Sequence, residues 1–173
     1  GRVQMPVIPE GLLETLPTNY KQINLGFGVD HDDEAMIRRG RELYWGFVTW
    51  LDDEIGKVLD ALARSEVAED TVVIYTTDHG ENKGDHGMWW KNTMFEHAAR
   101  IPLIVSWPQR WLGGQQRASA CSLVDLTQTM ADLVGAKTPD DWDGHSLVPW
   151  MDEPASEWRD FALSEYYAHN IAS

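Results

Sequence analysis

Basic residues are scarce in this chain of 173. Lysine and arginine total 14 against 28 aspartates and glutamates, a formal charge of −14. A surface this acidic repels phosphate backbones and anionic lipid headgroups, which argues against nucleic-acid or membrane-surface partners. An anionic substrate would have to be drawn in by a bound cation or a local lysine. Cysteine is almost absent as well. Cys121 stands alone, which excludes an internal disulfide and a Cys-rich zinc site within the chain and leaves the compartment open. There is no apolar run of about 18 residues, the length a membrane helix needs, and no internal repeat or low-complexity tract.

What is present suffices for one domain with a sizeable core. The chain opens on Gly1 rather than Met, and residues 1–31 alternate proline turns with short apolar patches. That pattern leads us to expect an irregular lead-in taken from the middle of a longer protein. Leu43, Phe47, Leu51, Ile55, Val58 and Leu62 fall at intervals of three and four, one stripe of a helix over Asp32–Ser65. Asp32 or Asp33 can cap its start, and Gly40, Gly46 and Gly56 predict a bend or a break. The β-branched run Thr71–Thr77 lacks polar alternation and suits a strand covered on both faces, as in a parallel sheet. Ile101–Ser106 reads as a second buried strand, and 118–124 as a third strand or extended piece. A helix from about Asp125 to Val134 follows, with Asp125 and Gln128 at capping-box spacing and Gly135 as its stop. We therefore expect an α/β core over 32–137 and an irregular tail over 138–173.

Ligand sites in α/β sheets gather beyond the carboxyl ends of strands. The run that follows the first strand, "TTDHGENKGDHGMWWK", concentrates charge at that place. Asp78 offers a carboxylate and His79 an imidazole, and Gly80 lets the backbone turn so that both can reach one ion. On these three residues alone, a helix cap with a satisfied histidine explains the pattern equally well. Glu81 and Asp85 read as a solvated charged loop, and His86 as a lesser candidate for the site. Trp89 and Trp90 can pack the stem of Lys91 and hold its ammonium toward a desolvated cleft. Taken alone, Lys91 reads as a surface lysine.

Taken together, "TTDHGENKGDHGMWWKNTMFEHAARIPLIVSWP" resembles the carboxyl-side half of the active site in formylglycine-dependent sulfatases of the alkaline phosphatase superfamily. The shared pattern is an apolar strand, Asp-His-Gly, a Gly-Asp-His-Gly element, a lysine thirteen residues after the aspartate, Phe-Glu and a Pro-Leu-Ile strand. "YWGFVTWLDDEIGKVLDAL", "SLVDLTQTMADLVG" and "DWDGHSLVPW" extend the likeness to about residues 33–167. "FEHAARIPLIV" and "SEYYAHN" are similar to choline-sulfatase-like members, which brings in Glu165 and Tyr166 as candidate substrate contacts.

The resemblance implies part of a three-layer sandwich with a mainly parallel central sheet. It also implies that Asp78 and His79 ligate a divalent metal, Ca2+ with Mn2+ or Mg2+ as alternatives, and that Lys91 binds the sulfate oxygens. The implied partners are a small sulfate-ester substrate and the amino-terminal part of the same enzyme. That part would carry the formylglycine nucleophile, because the Cys/Ser-x-Pro-x-Arg motif that yields it is absent here; Cys121 lies in "CSLVD". This stretch by itself would turn nothing over.

Two alternatives stand beside it: a phosphonate or phosphate ester hydrolase of the same superfamily, and a non-catalytic binding fragment whose loop tryptophans, Trp107, Trp111, Trp142, Trp150 and Trp158, stack on sugars or quaternary ammonium groups. Apolar surface left by a missing half would favour homo-oligomers. His31, His97, His145 and His169 have no partner evident in the sequence, and Arg100 can pair with Glu96 at helical spacing.

Overall fold

The computed structural model describes residues 3–153 and 155–165. The helical stripe becomes α3, Glu34–Ala63, preceded by α1, Leu12–Thr15, and α2, Thr18–Phe27. The lead-in is thus largely helical rather than irregular. The two helices are short and bury no residue of their own, so no apolar period marks them in the sequence. Asp33 caps α3 by accepting from the Met36 N–H at 2.9 Å. The helix runs unbroken through its three glycines. At Gly40 the missing side chain is used: a Cβ there would lie 3.1 Å from the Trp89 ring.

Two strands follow, β1, Val73–Thr76, and β2, Leu103–Ser106, hydrogen-bonded as neighbours in a two-stranded sheet. Between them lie a single 3-10 turn at Asp85–Gly87 and the short α4, Glu96–Ala99. The expected strand over 118–124 is not formed. Ser122 and Asp125 make a reciprocal capping box, so the chain turns helical at Leu123, and α5 spans Leu123–Leu133. The box therefore begins three residues before the Asp125–Gln128 spacing suggested. Gly135, at φ 66°, ends the helix. Its N–H bonds Asp132 O at 3.0 Å and the Ala136 N–H bonds Ala131 O at 2.9 Å, the paired bonds of a Schellman motif. The tail carries α6, Val148–Asp152.

The chain divides into two compact units, passing from one to the other within β1 and within β2. In the first, comprising 3–68 and 75–103, Leu16, Ile37, Met88 and Ala98 are buried along with Arg41, Asn82 and Thr93. The second, 69–74 with 104–165, buries Leu126, Leu147, Val148 and Trp150 around Asp125 and Thr129. Thr129 joins helix to tail there. Its hydroxyl donates to Asp125 O at 2.6 Å and accepts from the Leu147 N–H at 2.8 Å.

Candidate metal and anion site

β1 ends at Thr76, and the backbone then holds Asp78 and His79 together. Asp78 Oδ1 accepts from the His79 N–H at 3.0 Å and from the Thr77 hydroxyl at 3.2 Å. Desolvation opposes ionisation of Asp78, but the neighbouring His79 charge and these hydrogen bonds outweigh it, so its carboxyl sits below the usual carboxylate range. His79 Nδ1 lies 2.8 Å from Gly80 O, a contact only an N–H can make. Nε2 is then the ring nitrogen that faces away from this anchor, the orientation a metal-ligating histidine adopts. That nitrogen stands 3.5 Å from Asp78 Oδ2. Two donors bound side by side on one ion at 2.0–2.6 Å would be about 3 to 3.5 Å apart, so this carboxylate and imidazole fit a shared divalent cation as two of its ligands. Among the described residues no group of three or more His, Cys, Asp or Glu donors is gathered.

Gly80 is required by close approach. A Cβ there would fall 2.0 Å from His97 O, because the Gly80 and Glu81 N–H groups bond Ala98 O and His97 O at 2.8 Å each. Downstream, the loop is held by unusual backbone. Lys83, His86, Trp90 and Asn92 all have φ between 54° and 69°, the left-handed region that side chains disfavour. Asn82, wholly buried, closes this loop through Trp90 O and Thr93.

Asp85 is not the solvated loop residue expected from the sequence. Arg41, buried on α3, donates from Nη1 to Asp85 Oδ2 at 3.1 Å and to Lys83 O at 2.7 Å, and His97 Nε2 lies 3.7 Å from the same carboxylate oxygen. His86 stacks flat on Phe95 at 4.2 Å, with its Nδ1 buried and unpartnered among the described residues. Glu81 accepts the Lys83 N–H at 3.1 Å.

Lys91 is exposed, between two left-handed residues, and not in a desolvated cleft. The tryptophans before it are otherwise engaged: Trp89 against Gly40 and Gly84, and Trp90 edge-on to Phe27 at 4.9 Å. The desolvated lysine of the loop is Lys83, which the sequence reading passed over. Its ammonium bonds Glu81 O and sits 5.2 Å from the centre of the Tyr44 ring, and burial pushes its pKa down against the pull of Asp85 and Glu81. A half-buried lysine over an aromatic ring depends on a contact from α3, 39 residues away, which no local pattern encodes.

Other histidines find partners too. His31 Nε2 accepts from Asn24 at 3.1 Å, and His145 Nδ1 lies 3.3 Å from Arg159 Nη1. Arg100 meets Glu96 at 3.6 Å, both exposed. Cys121 is half-buried, and burial raises its thiol pKa, as suits a packing residue. Trp107 and Trp111 flank Arg110, and Trp150 stacks on Trp158 at 5.2 Å, so these loop tryptophans are occupied by the protein's own groups. Tyr166 and His169 lie outside the described residues.

The sulfatase family model matches residues 14–136. A choline-sulfatase of Rhizobium meliloti (strain 1021) is 34% identical over 138 residues, 78% of this chain and 26% of the relative. Arylsulfatase K of Canis lupus familiaris is 36% identical over 144 residues, again 78% and 26%. The phosphonate monoester hydrolase of Silicibacter pomeroyi superposes with a TM-score of 0.81 at 29% identity, covering 91% of this chain and 33% of that one. The chain therefore spans about a quarter of the length of the curated relatives it matches.

Proposed function

This chain belongs to the sulfatase family, and from that premise we propose that it is the carboxyl-side part of the catalytic domain of a metal-dependent sulfuric ester hydrolase. In the whole protein the domain is the three-layer sandwich around a mainly parallel sheet that the sequence resemblance implies. The observation that carries the reading is the Asp78–His79 pair at the end of β1. One carboxylate with a depressed pKa and one imidazole anchored through Nδ1 to Gly80 O stand 3.5 Å apart.

Asp78 and His79 would hold a divalent cation, most simply Ca2+, whose charge lowers the cost of developing negative charge on the sulfuryl oxygens. Asp78 brings the formal negative charge that favours a hard ion. His79 is kept from turning away by its bond to Gly80. Lys91 supplies an exposed ammonium for the same oxygens, drawing an anion toward a chain whose net charge would otherwise repel it. The nucleophile, a formylglycine, and the remaining ligands would come from sequence beyond these 173 residues. The substrate is a small sulfate ester, and Glu165 with Tyr166 would contact its alcohol side.

A phosphonate or phosphate monoester is the second reading, favoured by the TM-score of 0.81 to a phosphonate monoester hydrolase. Sulfate and phosphonate esters share tetrahedral geometry and differ in charge, so one site can be tested on both. In full-length protein assayed with p-nitrophenyl sulfate and p-nitrophenyl phenylphosphonate, Asp78→Ala and Lys91→Ala should each cost at least about 10²-fold in kcat/KM on the true ester class, with folding retained. Unchanged turnover in both variants would rule out this assignment of the site.

A further inference from the structure

We propose that Asn82 is a positioning residue that sets where Lys91 stands relative to the Asp78–His79 pair. The inference rests on the reading above that Lys91 binds the anion.

Asn82 joins the two halves of the loop. On its upstream side, the two residues separating it from His79 are pinned, since Gly80 and Glu81 donate their N–H groups to Ala98 and His97. Little slack therefore remains between the metal pair and Asn82. On its downstream side, Asn82 grips the chain around Lys91. Its main-chain N–H donates to Trp90 O at 2.8 Å and its Nδ2 donates to the same oxygen at 2.7 Å. Nδ2 also reaches Thr93 Oγ1 at 3.2 Å, and that hydroxyl lies 3.4 Å from Asn82 Oδ1. The residue before Lys91 and the residue two after it are thus tied to one side chain.

The backbone there needs such a tie. Trp90 at φ 56° and Asn92 at φ 69° flank Lys91 in the left-handed region, a state that persists only where surrounding bonds impose it. Lys91 itself is exposed, with no hydrogen bond or ion pair of its own among the described residues to fix it. Its placement has to come from the backbone. Asn82 has no hydrogen bond to Asp78, His79 or the Lys91 side chain among the described residues. Its influence would run through Lys91 alone.

The test uses the full-length enzyme, p-nitrophenyl sulfate as substrate and inorganic sulfate as product inhibitor. Asn82→Leu keeps the γ-branched outline, though with greater bulk, and removes the amide. It should lower kcat/KM by on the order of 10-fold to 10²-fold and weaken sulfate inhibition in parallel, while the bound metal per chain stays at the wild-type level. In a Lys91→Ala background the same change should have less than about a twofold further effect, because the group it positions is gone. A merely structural role would not show that epistasis.

Should Asn82→Leu fail to fold, Thr93→Val and Thr93→Ser carry the same comparison. The valine should reproduce the Lys91-dependent loss, and the serine should restore wild-type values. An equal loss in wild-type and Lys91→Ala backgrounds overturns the proposal and leaves the anion role of Lys91 standing. No loss in Lys91→Ala itself overturns the anion role, and this proposal with it.

Discussion

Asp125 shows how a single carboxylate can organise the second unit. It has no exposed surface, and its Oδ2 takes the Ser122 N–H at 2.8 Å, the Ser122 hydroxyl at 3.0 Å and an Arg159 guanidinium N–H, while Oδ1 takes the His145 N–H at 2.9 Å. Desolvation works against ionisation, but the Arg159 bond and the other donors more than offset it, so its pKa is lowered. A depressed folded pKa stabilises the fold above the unfolded carboxylate value of about 3.9, and the contribution is lost as pH falls through the lower folded value. Arg159→Ala should cost about 3 kcal/mol at pH 7, since three other donors remain, and denaturant titrations should show the difference from wild type shrinking below about pH 4. Gly80 allows a second test at this scale. Gly80→Ala puts a methyl on His97 O, and thermal unfolding should report a loss of about 3 kcal/mol or more. Neither residue announces itself alike in sequence. The Asp-His-Gly triplet marked Gly80 as a turn, whereas the role of Asp125 as a receiver of Arg159, 34 positions on, is visible only in three dimensions.

At the scale of elements, legibility follows the range of the forces involved. The period of α3 and the cap at Asp33 are local and were readable, as were β1 and β2 to within two residues. The unbroken course of α3 was not, because the packing of Trp89 against Gly40 offsets the poor helix propensity of glycine. At α5 the sequence pointed to Asp125 with Gln128 as the capping box. The structure uses Ser122 with Asp125, and it is the box whose first member can remain extended, at φ −137° and ψ 170°. Ser122→Ala should therefore destabilise by about 1 kcal/mol, measurable by urea denaturation, while Gln128→Ala should leave the helix start untouched. The loop from Lys83 to Asn92 was legible as charge but not as shape. Four left-handed residues and a buried Asn82–Thr93 contact arise from pairings across eight to eleven positions, and these turned the expected solvated Asp85 into the partner of Arg41.

For the molecule as a whole, the family was readable from one stretch of sequence, while the completeness of the β1 end as a site was not. Leu43, Phe47, Trp50, Leu51 and Val58 of α3 are exposed, a length of apolar stripe that ordinary surfaces do not carry. The 173-residue chain on its own should self-associate in sedimentation velocity runs, and the pair Phe47→Glu with Trp50→Glu should shift it toward monomer. A monodisperse wild-type monomer would count against that stripe being a contact surface. Metal analysis of the full-length protein reads out whether Asp78 and His79 share a divalent cation, as proposed above. One tightly held divalent ion per chain is expected in the wild type, lost in Asp78→Ala and His79→Ala with folding retained. Full metal content in both variants would contradict it.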